Sequence, residues 1–494
     1  MPVQPVPQSG TNTPAAPKLS LGDKGPEVVR LQKQLAAAGF NPGGADGDFG
    51  PGTKAAVMAL QRSAGLGADG VVGAATQAAL AQAVNGATPS PTPPPAPAPG
   101  PVSPDTFEGG PAALTLDKAR AAAAFLQQSK AEGSTPDHLA FLDRGLAGSP
   151  FKANAGKAWE LLSRRPDGVT LANGGATGFS AFPARGQRPA EVKPLPFLGP
   201  AITEASVAVG SEINGQMQAR WYGKAPEQTA QFWSSTKSLN ALGLISALNT
   251  ARPDLKVEDL RIREAGSGSA GIPLKSLFQD ITSYDAGVPR SNAGAGALGR
   301  MLGGPAREAF VSGNTGHAVE FNSNYGGGTI FNRPEVVTAS GERVLLAPQS
   351  AGASVRNRVS AYDLTRLHAQ AAWHGRLPAE ARIPGAQGHS VGAWMRAMAE
   401  DPARYVDAGI QALGLSSTAK NVAITSKLGF GYQDGKFEAV YSGVVQFDDA
   451  RFSPPRQRSM AFTLRGKSAD AVGLDAQLAA ETTELLRRLA NGEL

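Results

Sequence analysis

A short internal repeat near the start of the chain constrains its fold more than any other feature. The segment ADGDFGPGTKAAV begins at Ala45 and returns as ADGVVGAATQAAL at Ala68, 23 residues later. Each copy places Asp-Gly, which accepts the left-handed backbone of a tight turn, ahead of a Thr at the start of an apolar helix. Apolar residues at helical spacing surround both copies, from Val28 to Leu80. The pattern predicts three short helices joined by two nearly identical turns.

Residues 19–80 resemble the peptidoglycan-binding module carried by many bacterial wall hydrolases. The resemblance rests on Leu31-Gln32 and Leu60-Gln61, each followed by one Asp-Gly turn. It implies a small all-α, three-helix domain at 19–84 whose partner is peptidoglycan. The alternative is a small helical domain without this ligand. The residues that we assign to peptidoglycan binding on this basis are Asp46, Gly47, Phe49, Gly50, Asp69 and Gly70.

Composition excludes several classes of function. The chain has 494 residues, enough for about three domains, and a net charge of +6 with no block of Lys and Arg. We therefore expect no nucleic-acid partner. The chain contains no cysteine, which excludes disulfides, thiolate catalysis and cysteine-based metal sites. No segment is long and apolar enough to predict a membrane span.

The expected location is extracytoplasmic: cell wall, periplasm or secreted. A wall-binding module has its ligand there, and the absence of cysteine suits an oxidising compartment. The first 17 residues, MPVQPVPQSGTNTPAAP, have neither the basic start nor the apolar centre of an ordinary signal peptide. The route of export is therefore left open.

Composition also divides the rest of the chain. We predict a disordered N-terminus at 1–18 and a Pro-rich linker at 85–111, where proline density favours an extended spacer. An Ala-rich amphipathic stretch at 112–199 predicts a helical spacer region. Residues 200–494 contain a strand hairpin with an Asn-Gly turn and three further strands near the C-terminus. This order predicts an α/β domain in which one antiparallel sheet is flanked by helices.

A first chemical motif lies at the start of a predicted helix. Ser234 and Lys237 form an S-x-x-K tetrad, and residues three apart are neighbours on a helix. A neutral lysine there can accept the serine proton, and the N–H groups of the first turn can stabilise an oxyanion. Alone, S-x-x-K also fits a serine-rich helix start with a solvated lysine.

Two later segments extend this motif. Ser291-Asn292 opens another predicted helix, and Lys427-Leu428-Gly429 lies on a predicted strand. In this order, the motifs resemble those of the serine β-lactamase and penicillin-binding DD-peptidase superfamily, S-x-x-K, then S-x-N or Y-x-N, then K-T-G. The resemblance covers about residues 200–490 and implies that fold.

The same resemblance assigns roles. Ser234 is the acylated nucleophile and Lys237 its general base. Asn292 holds the substrate amide, and Lys427 lines the cleft. The substrate-binding residues that it implies are Ser291, Gly429, Phe430 and Arg290, with the backbone N–H groups of Ser234 and Phe430 as the oxyanion hole.

The sequence departs from the superfamily pattern at two positions. Arg290 stands where the second motif has a hydroxyl, unless Ser291 or Tyr284 supplies that group. Leu428 replaces the hydroxyl residue of the third motif. The segment from Glu320 to Asn324 has the E-x-x-x-N spacing that positions a deacylating water in class A β-lactamases, but it reads better as an irregular loop.

No zinc motif joins the five histidines, so we expect no metal and no cofactor. The resulting prediction is a peptidoglycan-targeted serine acyl-transferase or hydrolase acting on D-alanyl peptide stems. Two alternatives stay open. One is a non-catalytic peptidoglycan-binding protein with a degenerate domain, and the weaker one is a β-lactamase.

Overall fold

The chain divides into two compact units, Met1–Pro99 and Gly100–Leu494. A computed structural model describes residues 18–85, 111–164, 178–283, 291–349 and 357–494, apart from gaps at 39, 41, 43, 143–144, 214, 322, 324 and 327. The predicted disordered N-terminus and Pro-rich linker fall almost entirely outside the described residues. Each unit is described below by itself.

The first unit contains the three predicted helices, α1 (Pro26–Ala37), α2 (Pro51–Ser63) and α3 (Ala74–Asn85). Proline opens both α1 and α2, a position where its missing N–H costs nothing. The helices enclose one apolar core, whose buried members include Val28, Leu35, Phe49, Val57 and Leu80. The small all-α module is therefore confirmed.

One buried glutamine organises each turn of this module. Gln32 donates from its amide nitrogen to Asp46 Oδ1 (2.8 Å) and Thr53 Oγ1 (3.0 Å), and its oxygen accepts the Gly47 N–H (2.9 Å). In the second turn, Gln61 makes the same three bonds to Asp69, Thr76 and Gly70. The repeat in the sequence is thus a repeat of one hydrogen-bonded frame.

This frame includes four of the six residues assigned to peptidoglycan binding, Asp46, Gly47, Asp69 and Gly70. Gly47 (φ +79°) and Gly70 (φ +74°) adopt the left-handed conformation, and Gly50 begins α2 as an extended N-cap residue. Phe49 is fully buried, so it cannot contact a ligand. The two aspartates accept turn N–H groups, chiefly from Asp48 and Val71, and these bonds lower their pKa. Thr53 lies inside α2 and does not cap it.

The second unit alternates helices and strands. Its helices are α4 (Lys118–Ala131), α5 (Lys152–Ala155), α6 (Ala158–Ser163), α7 (Lys237–Ala251), α8 (Leu274–Ser283), α9 (Ser291–Leu302), α10 (Gly304–Thr315), α11 (Ala361–Ala372), α12 (Gly388–Met398), α13 (Tyr405–Ala412) and α14 (Ala471–Asn491). Its strands are β1 (Ser180–Ala181), β2 (Lys193–Pro194), β3 (Ile202–Ile213), β4 (Gln216–Lys224), β5 (Ala230–Gln231), β6 (Leu260–Glu264), β7 (Ile272–Pro273), β8 (Glu320–Phe321), β9 (Pro334–Thr338), β10 (Arg343–Leu346), β11 (Asn357–Val359), β12 (Ala419–Gln433), β13 (Lys436–Asp449) and β14 (Arg456–Ser468).

A seven-stranded sheet forms the centre of this unit. Its order is β1-β4-β3-β14-β13-β12, with β2 pairing in parallel beside β4 and all other pairs antiparallel. Strand β3, from the start of the domain, pairs with β14 from its end. The predicted α/β domain with an antiparallel sheet flanked by helices is therefore confirmed, and β12 lies at one end of the sheet order. Two smaller sheets, β10-β9-β6-β7 and β5-β11-β8, were not predicted.

Side chains of the sheet alternate between two cores. Along β3, Ala208 faces the core that contains α7, α8, α9, α11 and α12, whereas Val207 and Val209 face the core that contains α13 and α14. Helices therefore cover both faces of the sheet. Within the described residues, no helix combines the length and apolar character that crossing a membrane requires.

Residues 112–199, predicted as a spacer region, pack into this second unit. Phe125 of α4 lies in the same core as Leu478 and Leu485 of α14. Strands β1 and β2 both pair with β4. An amphipathic helix without catalytic residue types has the same sequence pattern in a spacer and against a sheet. Only its tertiary contacts distinguish the two cases.

Replacing Gln32 with Ala should destabilise the module. The variant loses a side chain that bonds both sides of the first turn and leaves buried partners unsatisfied, at a cost of about 2–4 kcal/mol. Hydrogen exchange across residues 24–80 of the full chain should accelerate accordingly. Gln34→Ala, an exposed position on the same helix, should exchange like the parent. Equal exchange in the two variants would contradict this role for Gln32.

Candidate active site

Ser234 lies in a tight helical turn that leads into α7. Residues Trp233–Thr236 form a 3₁₀ turn, and α7 begins at Lys237. Side chains three residues apart eclipse each other in a 3₁₀ turn, which brings Ser234 and Lys237 to the same side. The turn is held from within because the Ser235 N–H donates to Phe232 O (3.2 Å).

Lys237 is completely buried beneath this turn. Its ammonium nitrogen donates to Ser291 Oγ at 2.9 Å and lies 5.5 Å from the centroid of the Tyr325 ring. Burial, together with the nearby positive charge of Lys427, holds the pKa of Lys237 well below its ordinary value of 10.5. A lysine in this environment is suited to accept a proton at neutral pH.

The contact with Ser291 changes the interpretation of the second motif. Arg290 and Tyr284 lie outside the described residues, whereas Ser291 opens α9 and places its hydroxyl on Lys237. With Ser291 in the hydroxyl position, the residue two further along is Ala293, which is buried. Asn292 lines the pocket beside Ser234 but sits one position earlier than the motif requires.

The third motif lies on β12, where its members face different environments. Lys427 is fully buried, 3.7 Å from Asp401 Oδ1, and donates to Leu428 O (3.1 Å). A Cβ atom on Gly429 would lie 2.7 Å from Phe232 O and 2.9 Å from Ser235 Oγ. Glycine is therefore required for β12 to approach the serine turn. Leu428 packs into the opposite core.

An open pocket of about 400 Å³ brings several of these residues together. Its lining consists of Gln231, Trp233, Ser234, Asn292, Tyr325, Gly326, Asn357 and Phe430. The ring of Phe430 packs against the core on the far side of the sheet, which leaves its backbone to face the pocket. Of the predicted site residues, Ser234, Asn292 and Phe430 thus line one cavity. The others described are buried and do not line it: Lys237, Ser291, Lys427 and Gly429.

Sequence reasoning missed the polar residues that brace the serine turn. The Tyr325 hydroxyl lies 2.9 Å from Thr236 Oγ1 and accepts from Asn240 Nδ2 (3.2 Å). Asn240 also donates to Ser323 Oγ (2.6 Å). Asn240 lies within α7 and Ser323 and Tyr325 lie in an Asn/Gly-rich loop, and no pattern in the sequence links the two segments.

Buried carboxylates balance the two buried lysines. Asp401 accepts from Ser426 Oγ (2.8 Å), and burial raises its pKa. Burial also raises the pKa of Asp280, whose charge acts on Lys237. Within the described part of the chain, no group of three or more His, Asp or Glu side chains could hold a metal ion.

The N-terminal module has clear relatives. Residues 24–80 match the family model of a putative peptidoglycan binding domain. The chain is 43% identical over 77 residues to a probable N-acetylmuramoyl-L-alanine amidase of Bacillus licheniformis, covering 15% of this chain and 22% of that protein. It is 52% identical over 62 residues to a zinc D-Ala-D-Ala carboxypeptidase of Streptomyces albus G, covering 12% of this chain and 24% of that protein. The chain spans about a fifth of the length of these curated relatives.

Solved structures similar to the second unit are class A β-lactamases. An ancestral enzyme covers 58% of this chain and 94% of its own, at 15% identity and a TM-score of 0.34. A representative from Bacteroides cellulosilyticus covers 59% of this chain and 93% of its own, at 12% identity and a TM-score of 0.36.

Replacing Lys237 with Met should stabilise the second unit. The folded-state pKa of Lys237 lies below its unfolded value, so unfolding takes up a proton at neutral pH, and the parent gains stability as pH rises toward 10.5. Met removes this cost, and we expect the free energy of unfolding at pH 7 to rise by about 1–4 kcal/mol and to depend less on pH. All five tryptophans lie beyond residue 100, so their fluorescence during urea unfolding reports on this unit alone.

The control for this measurement is Lys275→Met, at an exposed position of α8. It should leave both the unfolding free energy and its pH dependence near those of the parent. A Lys237→Met variant that is less stable than the parent at pH 7 would show that the lysine is retained for stability.

Proposed function

We propose that this protein is a peptidoglycan-targeted serine acyl-transferase or hydrolase that forms an acyl-enzyme on Ser234 with D-alanyl peptide stems. The observation that carries the proposal is the buried Lys237, which combines a lowered pKa with a 2.9 Å hydrogen bond to Ser291 Oγ directly beneath the serine turn. A buried lysine costs stability, and one that is hydrogen-bonded to Ser291 and lies three residues after Ser234 suits nucleophilic catalysis.

The proposed reaction uses these residues in four steps. Lys237 takes the proton of Ser234 Oγ, and the oxygen attacks the carbonyl carbon of the scissile D-alanyl amide. The backbone N–H groups of Ser234 and Phe430 stabilise the oxyanion of the tetrahedral intermediate. The carbon–nitrogen bond then breaks, and the proton passes from Lys237 through Ser291 Oγ to the leaving nitrogen. Water or an acceptor amine cleaves the resulting ester and regenerates Ser234.

The pocket lining favours peptide turnover over β-lactam resistance. Among the described residues, the serine pocket is lined by amide, aromatic, hydroxyl and glycine residues and by no carboxylate. Glu320, the candidate for positioning a deacylating water, instead lines a separate pocket with Thr229 and Arg358. Without such a carboxylate, we expect a β-lactam acyl-enzyme on Ser234 to hydrolyse slowly.

The N-terminal module supports an extracytoplasmic role at the wall. Its family description is peptidoglycan binding, and both relatives cited above carry names of enzymes that act on wall components. We propose that the module concentrates the second unit on peptidoglycan. The proposed domain boundaries are 19–84 for the module, 85–111 for the linker and 200–494 for the serine domain, with 112–199 packed onto it.

A non-catalytic role is the second candidate, and one observation favours it. Leu428 lies in the opposite core, so the third motif brings no side-chain hydroxyl to the cleft. A wall-binding protein on a disabled site would retain the module and the fold and would lack covalent chemistry.

Fluorescent penicillin should label the purified protein covalently, and Ser234→Ala should abolish the label. Ser291→Ala should slow labelling by about 100-fold or more, because a general acid–base relay contributes about that much. The measurement is the rate of appearance of the fluorescent band. Ser267→Ala, at an exposed loop position, should label like the parent. Absence of the band from the parent, or its persistence in Ser234→Ala, would refute an acyl-enzyme on Ser234.

Binding to isolated peptidoglycan should depend on the module. We expect the full chain to sediment with insoluble peptidoglycan and a chain lacking Met1–Pro99 to remain in the supernatant. Penicillin labelling of the shortened chain confirms that its serine unit is folded. Equal sedimentation of both chains would place the wall-binding surface in the second unit.

A further inference from the structure

Trp233, the residue before Ser234, has an unusual backbone conformation. Its φ angle is +48°, in the left-handed region that bulky residues rarely occupy. Such a conformation persists only where the surrounding structure holds it in place. The groups that hold Trp233 therefore determine the direction in which the next residue, Ser234, presents its hydroxyl.

The indole ring of Trp233 rests on β12. A Cβ atom on Gly431 would lie 2.5 Å from three atoms of the ring, so glycine alone leaves room for it. Gly431 lies two residues beyond Gly429, on the same face of the strand. Two glycines of β12 thus pack against the serine turn. Gly429 contacts Phe232 and Ser235, and Gly431 contacts Trp233.

A buried carboxylate fixes the orientation of the ring within this seat. The indole N–H of Trp233 donates to Glu438 Oε2 at 2.9 Å. Glu438 lies on β13, is almost fully buried, and forms ion pairs with Arg465 Nη2 (2.8 Å) and Lys467 Nζ (2.7 Å). Two cations from β14 therefore hold the acceptor of the Trp233 hydrogen bond in place.

The same network reaches a second wall of the serine pocket. Arg465 donates from Nε to the backbone oxygen of Gln231 at 3.0 Å, and both Gln231 and Trp233 line the pocket. Its Nη1 pairs with Glu204 Oε2 at 2.6 Å. Glu204 and Glu438 thus share one arginine, but only Glu438 is bonded to the residue beside the serine.

We propose that Glu438 is a positioning residue, which acts through Trp233 to orient Ser234 for acylation. The ion pairs with Arg465 and Lys467 neutralise the charge of Glu438, whereas its hydrogen bond to the indole N–H acts on the orientation of Trp233. The hydrogen bond selects one orientation of the ring and, through the backbone of Trp233, one orientation of the serine turn. This inference rests on the proposed acyl-transfer function of Ser234.

The test compares acylation rate constants for fluorescent penicillin in the full-length parent and in five variants: Glu438→Ala, Glu438→Gln, Glu204→Ala, Trp233→Phe and the double variant Glu438→Ala/Trp233→Phe. Glu438→Ala and Trp233→Phe should each slow acylation by about 10- to 100-fold, since small misplacements of a reacting group cost that much. The double variant should be no slower than either single one. Glu438→Gln, which keeps an acceptor oxygen, should recover most of the rate, and Glu204→Ala should stay within about threefold of the parent.

A second measurement follows the contact itself. Nitrogen-15 labelling of the five tryptophans gives one indole N–H signal each, and Trp233→Phe identifies the signal of Trp233 by its loss. In Glu438→Ala this signal should move upfield while the other four stay in place, which also shows that the variant is folded. In Glu204→Ala it should not move.

Several outcomes would overturn the inference. Acylation of Glu438→Ala at the parental rate, together with a shifted indole signal, would make the contact irrelevant to the serine. Equal slowing by Glu204→Ala and Glu438→Ala would assign the effect to the ion pairs. An unshifted signal in Glu438→Ala would refute the contact. If the parent itself is not labelled, the proposed function fails and so does the kinetic part of this inference, and the indole signal alone then decides whether Glu438 holds Trp233.

Discussion

Burial of the Lys237 ammonium is the constraint on which the site depends. A cation removed from water is costly unless its environment compensates, and here that environment is drawn from distant parts of the chain. Ser291 at the start of α9 accepts its hydrogen bond, and the buried carboxylates of Asp280 and Asp401 offset the charge. Helix α7, buried on nearly all sides, anchors the lysine in the centre of the unit. The arrangement lowers the stability of the folded unit and places a basic nitrogen near a serine.

Close approach between β12 and the serine turn is the second requirement. A sheet can lie this near a helical turn only where the strand lacks side chains, and Gly429 and Gly431 provide two such positions on one face. Because β12 ends the sheet order, its other edge is not paired by a further strand of that sheet. The serine turn, the glycine face and the strand edge therefore meet at one cleft.

Local patterns in the sequence predicted the elements well. Strand alternation, the Asn-Gly hairpin and the repeat each depend on neighbouring residues, and the all-α module and the antiparallel sheet are both confirmed. The S-x-x-K tetrad was correctly placed at a helix start. Motif spacing was less informative for the second motif. Arg290 occupies the position where the motif has a hydroxyl, and Ser291, one residue later, is the residue that contacts Lys237. Which residue makes that contact depends on where α9 begins, which follows from packing and not from the motif.

Features built from distant residues could not be predicted. Nothing near Trp233 indicates that Glu438, some two hundred residues later, accepts its indole N–H. The spacer prediction for 112–199 differed for the same reason, since α4 meets α14 from the opposite end of the chain. In the module, the Asp-Gly turns and both Gln32 and Gln61 were visible in the sequence, but the hydrogen bonds between them were not predicted. A glutamine within a helix has no local signature of its role.

The glutamine frame also gives the module a direction along the chain. Each glutamine lies on one helix and forms hydrogen bonds that fix the loop leading to the next helix. The two frames therefore follow one another along the chain, from α1 to α2 and from α2 to α3. Gln61 follows Thr53 by eight residues, and the position eight residues after Thr76 is Val84. Valine offers no amide to a following loop. A third frame is therefore not encoded at the position that the spacing of the first two would give it.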